Sequence, residues 1–142
     1  MKIAIVGATG LVGTNIINLC EQYFDVGVEY SLFASKSSEG KKIKINDKEI
    51  TVKELNKENI GEYNISLFSA GGERSKEYAT NFIDNGSFVI DNSSVFRMND
   101  EVPLVVYGIN ENIITKKSKL ISNPNCTTMG LVMALKLSLI HI

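Results

Sequence analysis

The sequence predicts an α/β protein built on a doubly wound parallel sheet, and three features carry that expectation. Apolar runs of strand length recur at Lys2-Ile3-Ala4-Ile5-Val6, at Asn64 to Ala70 and at Ser87 to Ile90. Such unbroken runs suit parallel strands covered on both faces, where alternation with polar residues is not required. Stretches of helical pattern separate them. The first run leads directly into Gly7-Ala8-Thr9-Gly10-Leu11-Val12-Gly13, a glycine-rich turn that opens a helix.

The chain has 142 residues, about one domain's length. With 44% hydrophobic and 22% charged residues and two prolines, it can bury a core and is not a disordered composition. A net charge of −1 argues against nucleic-acid and membrane-surface partners, and no apolar run is long enough to span a bilayer. Cys20 and Cys126 lie far apart and no secretory signal precedes them, so free thiols in a reducing cytoplasm are expected. No internal repeat or low-complexity tract is present, and no metal is expected.

Taken in order, Lys2 to Val6 is the first strand, and a helix carries Leu11, Val12, Ile16, Ile17 and Leu19 to about Gln22. Cys20 falls at the end of that helical run and reads as a packed core thiol. The glycines at 7, 10 and 13 follow GxxGxxG, a variant of the dinucleotide fingerprint. Glycine is needed there because a side chain would keep the backbone from a pyrophosphate, while the helix N-terminus supplies N–H donors. Without a ligand the same spacing is a tight turn; after a buried strand and before a helix it reads as a Rossmann-like nucleotide site.

Val28 to Ala34 is the second strand. A site selective for NAD commonly has an acidic residue at that strand's end to hold the ribose 2′-hydroxyl. Here the strand ends in Phe33-Ala34, and Ser35-Lys36-Ser37-Ser38-Glu39-Gly40-Lys41 follows. Hydroxyls and ammonium groups suit an extra 2′-phosphate and favour NADP over NAD. Lys42 to Val52 predicts a hairpin around Asn46-Asp47, and Glu54 to Tyr63 a polar connection or short helix. Asn64 to Ala70 is the next strand and ends in Gly71-Gly72, small residues that let a flat ligand approach the backbone. A helix is expected from about Glu73 to Asn85, and a strand from Ser87 to Ile90.

Asp91 to Val106 reads as a long irregular loop holding Arg97. Its guanidinium could offer a planar fork to a carboxylate or phosphate, or pair with Asp100 or Glu101. Gly108 to Lys117 is a connection with a short helix, and Lys119 to Ser122 the last strand. Then comes Asn123-Pro124-Asn125-Cys126-Thr127-Thr128. Pro124 biases Asn123 away from helical geometry, and Thr127 and Thr128 suit an N-cap or first turn for the apolar run from Met129. A thiol at that point meets exposed N–H groups and the helix dipole, the usual setting of a nucleophilic cysteine. Cys126 could equally be a small apolar residue closing a strand-to-helix turn.

Six collinear stretches decide between these readings: GATGLVG (7–13), FASKSSEGK (33–41), LFSAGG (67–72), VIDNSSVFRM (89–98), DEVPLVV (100–106) and SNPNCTTMGLVMALK (122–136). In them the chain resembles the N-terminal part of bacterial aspartate-semialdehyde dehydrogenase. The resemblance implies that the Cys126 thiolate takes the aspartyl group from L-aspartyl 4-phosphate, releasing phosphate and leaving a thioester. Hydride from NADPH then reaches the thioester carbonyl, and collapse of the thiohemiacetal frees L-aspartate 4-semialdehyde for lysine (through diaminopimelate), threonine and methionine synthesis. A thioester divides one hard substitution into two easier steps. By the same resemblance Arg97 binds the phosphate and Asn125 helps position the substrate. Thr9, Gly10, Leu11 and Val12 meet the pyrophosphate, beside the fingerprint glycines Gly7 and Gly13 of the cofactor-binding turn, and Ser35, Ser37 and Ser38 meet the 2′-phosphate. Ala70, Gly71 and Asn92 lie on the nicotinamide side.

The chain departs from that family in places. An arginine is common in the 2′-phosphate loop, where this chain has Lys36 and Ser37, which implies looser NADP selectivity. Tyr107-Gly108 follows Leu104-Val105-Val106 where Pro-Glu is frequent. The family's second half carries the acid/base histidine, a glutamine near the thiol, a substrate-binding arginine and most of the dimer interface. The only histidine here, His141, has no positioned partner and is not assigned a role. Residues 137–142 resemble translated sequencing-adaptor read-through. The expectation is therefore a dinucleotide-binding domain over 1–122, then a nucleophile loop and first helix over 123–142, truncated at the start of the second, substrate and dimerisation domain. Its parent would be a homodimer or homotetramer, and this chain alone would turn over little. N-acetyl-gamma-glutamyl-phosphate reductase shares the logic but carries Asn-Pro-Gly-Cys, and a non-catalytic nucleotide-binding module is the other reading.

Overall fold

The computed structural model describes residues 1–24 and 27–140. Six parallel strands form one sheet in the order β5-β2-β1-β6-β7-β8. They are β1 (Lys2–Val6), β2 (Glu29–Ala34), β5 (Lys53–Glu54), β6 (Ile65–Phe68), β7 (Phe88–Asp91) and β8 (Leu120–Ser122). A separate antiparallel hairpin pairs β3 (Lys42–Ile45) with β4 (Lys48–Thr51). The helices are α1 (Leu11–Tyr23), α2 (Gly72–Asp84) and α3 (Cys126–Ile140).

The two faces of β1 explain its unbroken apolar run. Ile3 and Ile5 pack with Ile17 and Cys20 of α1, Leu32, and Ile45 from the hairpin. Ala4 and Val6, pointing the other way, pack with Phe33, Phe68, Phe82 and Val89. All four β1 residues are fully buried, so neither face leaves room for a polar alternate. Each isoleucine contributes about 1.5–3 kcal/mol by its removal from water. On the α2 side Phe82 anchors the layer, its ring edge-on to Phe33 at 5.7 Å and to Phe68 at 5.2 Å.

From β1 the chain moves outward to β2 and β5, then returns across β1 to β6, β7 and β8. That reversal opens a crevice at the carboxyl ends of the strands, where open α/β sheets take their ligands. Val6, Ala34, Phe68, Asp91 and Ser122 end the five longer strands on that side.

The hairpin turns at Asn46 and Asp47, with φ of 47° and 63°, as a two-residue turn between right-twisted strands requires. Expected and observed ends elsewhere differ by a residue or two. The one missed strand is β5, which adds beside Phe33 and Ala34 where a polar connection was expected. Two residues are too few to show a period. Residues 137–140 continue α3, whose Leu131, Leu135, Leu137 and Leu139 are exposed. His141 lies outside the described residues. No described helix is long and apolar enough to cross a membrane.

Candidate active site

The glycine turn leaves β1 and is held against β2: the Gly7 and Ala8 N–H groups both donate to the carbonyl of Phe33, at 2.8 and 3.0 Å. Gly7 has φ +89°, and a Cβ there would lie 2.8 Å from the Ser69 carbonyl. At Gly13 a Cβ would come within 2.1 Å of the Gly7 oxygen. These two glycines are thus required by the packing of turn, α1 and the loop after β6 on one another. Gly10 differs: a Cβ there would stand 3.4 Å from its nearest neighbour, the Gly7 oxygen. Among the described residues no steric conflict demands glycine at that point, and its lack of a side chain leaves the backbone open to close approach by a ligand.

Gly10 is also the N-cap of α1 and supplies no side-chain cap. The first helical bond runs from Thr14 N–H to the Gly10 carbonyl at 2.9 Å. The N–H groups of Leu11, Val12 and Gly13 come before it and have no acceptor among the described residues. Three free donors at the positive end of a helix fit an anion. They adjoin a cleft of about 180 Å³ lined by Gly7, Thr9, Gly10, Ser35 and Ala70 from the predicted set. Leu55 and Arg74, which sequence reasoning left aside, line it as well.

The polar loop after β2 is ordered by its own hydroxyls. Ser35 and Ser37 are 3.0 Å apart, Oγ to Oγ. Ser38 is buried, and its Oγ accepts from Thr9 Oγ1 at 3.3 Å and from Lys41 Nζ at 3.4 Å. Ser38 therefore fastens this loop to the glycine turn, and Ser35 and Ser37 remain the accessible hydroxyls.

On the far side the strand-end loops are stitched in sequence. Ser69 N–H donates to Val6 O, Asn92 N–H to Phe68 O and Asn123 N–H to Asp91 O, at 2.8 to 2.9 Å. Ala70 lines the cleft and Gly71 caps α2. The side chain of Asn92 accepts from Asn123 Nδ2 at 3.0 Å. Asp91 is fully buried, its carboxylate accepting from Ser75 at 2.6 Å and from Ser93 at 2.5 Å. Sequence reading took Asp91 only as the start of a loop. The signal available was a lone acid closing an apolar strand, which has to find donors when buried.

Arg97 is half-buried and does not pair with Asp100 or Glu101. Its Nε donates to the carbonyl of Asn123 at 2.9 Å and its Nη2 to that of Asn92 at 3.0 Å. Two of its five N–H groups are so engaged, and three remain for an anion.

Cys126 is the first residue of α3, and its thiol is exposed. The cap is Asn125 rather than either threonine: its Oδ1 accepts from Thr127 N–H at 2.9 Å, and its carbonyl from Met129 N–H. Thr127 and Thr128 fall within the first turn. An asparagine directly after proline suits the cap because its short carboxamide reaches the first turn without helical backbone. Cys126 Sγ lies 3.9 Å from the same Oδ1. Cys20, by contrast, is buried beneath α1, and loss of water pushes its thiol up to about 11.

The glycine turn, the cleft and the cysteine-bearing turn all sit at the carboxyl ends of one parallel sheet. The family model described as semialdehyde dehydrogenase, NAD binding domain, matches residues 2–117. The chain belongs to this family. A semialdehyde dehydrogenase NAD-binding domain takes a nicotinamide dinucleotide, and the open donors of α1 and the unfilled space at Gly10 fit one. Among curated relatives, aspartate-semialdehyde dehydrogenase of Aquifex aeolicus is 49% identical over 138 residues, which is 95% of this chain and 41% of that protein. The Bacillus subtilis protein of the same name is 40% identical over 137 residues, 96% of this chain and 39% of its own. The chain thus spans about 40% of the length of these relatives. A solved structure of Vibrio cholerae aspartate semialdehyde dehydrogenase II complexed with ASA superposes with a TM-score of 0.84 at 37% identity, covering 95% of this chain and 45% of that one. The Candida albicans enzyme with NADP superposes at 0.75 and 26% identity, with the same coverage. The resemblance read from the six motifs stands, for the family and for the fold.

Proposed function

We propose that this chain is the cofactor-binding and nucleophile-bearing part of an NADP-dependent aspartate-semialdehyde dehydrogenase, one that converts L-aspartyl 4-phosphate to L-aspartate 4-semialdehyde and phosphate. The observation that carries the reading is the exposed Cys126 thiol at the start of α3, directly after β8. Two loops that reach this turn, at Asn92 and Asn123, are joined by one arginine.

Cys126 Sγ attacks the acyl carbonyl, the carbon–oxygen bond to phosphate breaks, and a thioester forms on the cysteine. The three free N–H groups of Arg97 receive the departing phosphate. Nδ2 of Asn125 is left free by the helix cap and faces the acyl group. The chemistry that a bound reduced nicotinamide would supply is the hydride for the thioester carbonyl. The resulting thiohemiacetal expels Cys126 as thiolate and releases the aldehyde. Gly10 and the first-turn N–H groups of α1 hold the pyrophosphate, and Ser35 and Ser37 the 2′-phosphate. The acid/base histidine and the substrate-carboxylate arginine belong, by the resemblance, to the part of the relatives that this chain does not span. The whole enzyme is proposed as a cytoplasmic homodimer or homotetramer serving lysine, threonine and methionine synthesis. Against a module without chemistry stands the accessible thiol with a positioned arginine nearby in the chain's loop network.

The test is intact-mass measurement after mixing the chain with L-aspartyl 4-phosphate. An aspartyl adduct at Cys126, absent from Cys126→Ser and lost on adding NADPH, is expected. A thiol that alkylates readily yet never accepts the aspartyl group would count against the nucleophile.

A further inference from the structure

Among the described residues Arg74 is the one arginine that lines the cleft, together with Ala34, Ser35 and Leu55. It occupies the third position of α2, and among the described residues it forms no ion pair. A cation in the first turn of a helix is opposed by the helix dipole, so its placement there gains nothing for the helix. The opposite wall, at the end of β2, is where a Rossmann-like site holds the adenosine ribose. Among the described residues no acid lines the cleft to hold a free 2′-hydroxyl: Glu54, the register partner of Ala34, accepts from Asn56 Nδ2 at 3.4 Å and is not part of the lining. The loop's own cations are poorly suited to the task. Lys41 Nζ is engaged with Ser38, and Lys36 offers a point charge without a fork.

We propose that Arg74 determines specificity for NADP, closing on the adenosine 2′-phosphate from α2 while Ser35 and Ser37 approach it from the β2 side. The planar fork that the loop after β2 lacks is supplied from across the cleft. This inference rests on the dinucleotide reading above. It is tested by titrating the full chain, Arg74→Gln and Arg74→Lys with NADPH and with NADH at fixed low salt, following nicotinamide fluorescence. In Arg74→Gln, NADPH affinity should fall about tenfold or more, the size of one charge-assisted hydrogen bond, with NADH unchanged. Arg74→Lys should recover part of the loss. Arg74 is exposed, so the variants should melt with the parent, and circular dichroism checks this. Equal loss of NADPH and NADH would overturn the proposal and assign Arg74 to the adenine or pyrophosphate. So would an unchanged NADPH affinity. If the folded parent bound neither dinucleotide, both this inference and the cofactor reading would fall; the other two outcomes leave the cofactor reading standing.

Discussion

Arg97 Nε donates a 2.9 Å hydrogen bond to the carbonyl of Asn123, three residues before Cys126. The same guanidinium holds the carbonyl of Asn92 from its other side, so one side chain joins the loop after β7 to the turn that presents the thiol. Arg97 therefore has a structural duty in the absence of substrate. It also keeps three donors for an anion.

Arg97→Lys retains the charge but cannot serve both carbonyls. It should lower stability by about 1–3 kcal/mol, the cost of losing hydrogen bonds made by a charged donor. Urea denaturation monitored by circular dichroism measures this. An unchanged midpoint would mean that the two bonds do not form in solution.

Asn125→Ala removes the α3 cap and should cost about 0.5–2 kcal/mol of helix stability, whereas Asn125→Asp should retain the cap. Amide exchange at Thr127 reports on it directly, faster in the alanine variant and near normal in the aspartate one.

The glycines separate packing from ligand approach. Gly13→Ala puts a Cβ 2.1 Å from the Gly7 oxygen and should disrupt the seating of α1, visible as a lower melting temperature. Gly10→Ala meets nothing closer than 3.4 Å and should fold as the parent does, yet lose dinucleotide binding. Normal binding by a folded Gly10→Ala would remove the main steric reason for placing a pyrophosphate there.

The two thiols should behave oppositely. Under native conditions a thiol reagent should titrate Cys126 alone, and Cys20 only after denaturant is added. Burial raises the Cys20 thiol to about 11, above its unfolded value of 9.0. The folded chain then binds the proton more tightly than the unfolded chain does. That contribution to stability is complete below pH 9 and is lost as pH rises toward 11. Cys20→Ala should flatten the alkaline fall in stability. An equal slope in that variant would assign the fall to other groups.

Much of the fold was legible because burial on both faces leaves unbroken apolar runs. β1, β6 and β7 announced themselves in this way, and Asn46-Asp47 announced the hairpin through its tolerance of positive φ. β5 was not legible, since two residues carry no period and its pairing with Phe33 and Ala34 depends on a chain segment 20 residues away. At the site, the glycine turn, Arg97 and Cys126 could be read because each residue type is tied to its chemistry at a strand's end. What each side chain does in the resting fold could not. That Asn125 rather than a threonine caps α3, that Ser38 is buried against Thr9, and that Asp91 gathers Ser75 and Ser93 are consequences of neighbours brought together from distant strands. Arg74 escaped notice for the same reason, being one charged residue among several in a helical stretch until α2 was laid beside the end of β2.

The measurement that bears most directly on the central claim is titration of the purified chain with NADPH and with NADH at fixed salt, with circular dichroism confirming the fold. Saturable binding of the reduced dinucleotide, tighter for NADPH than for NADH, is expected. A folded chain that binds neither would contradict the assignment of the glycine turn and its cleft to a nicotinamide cofactor.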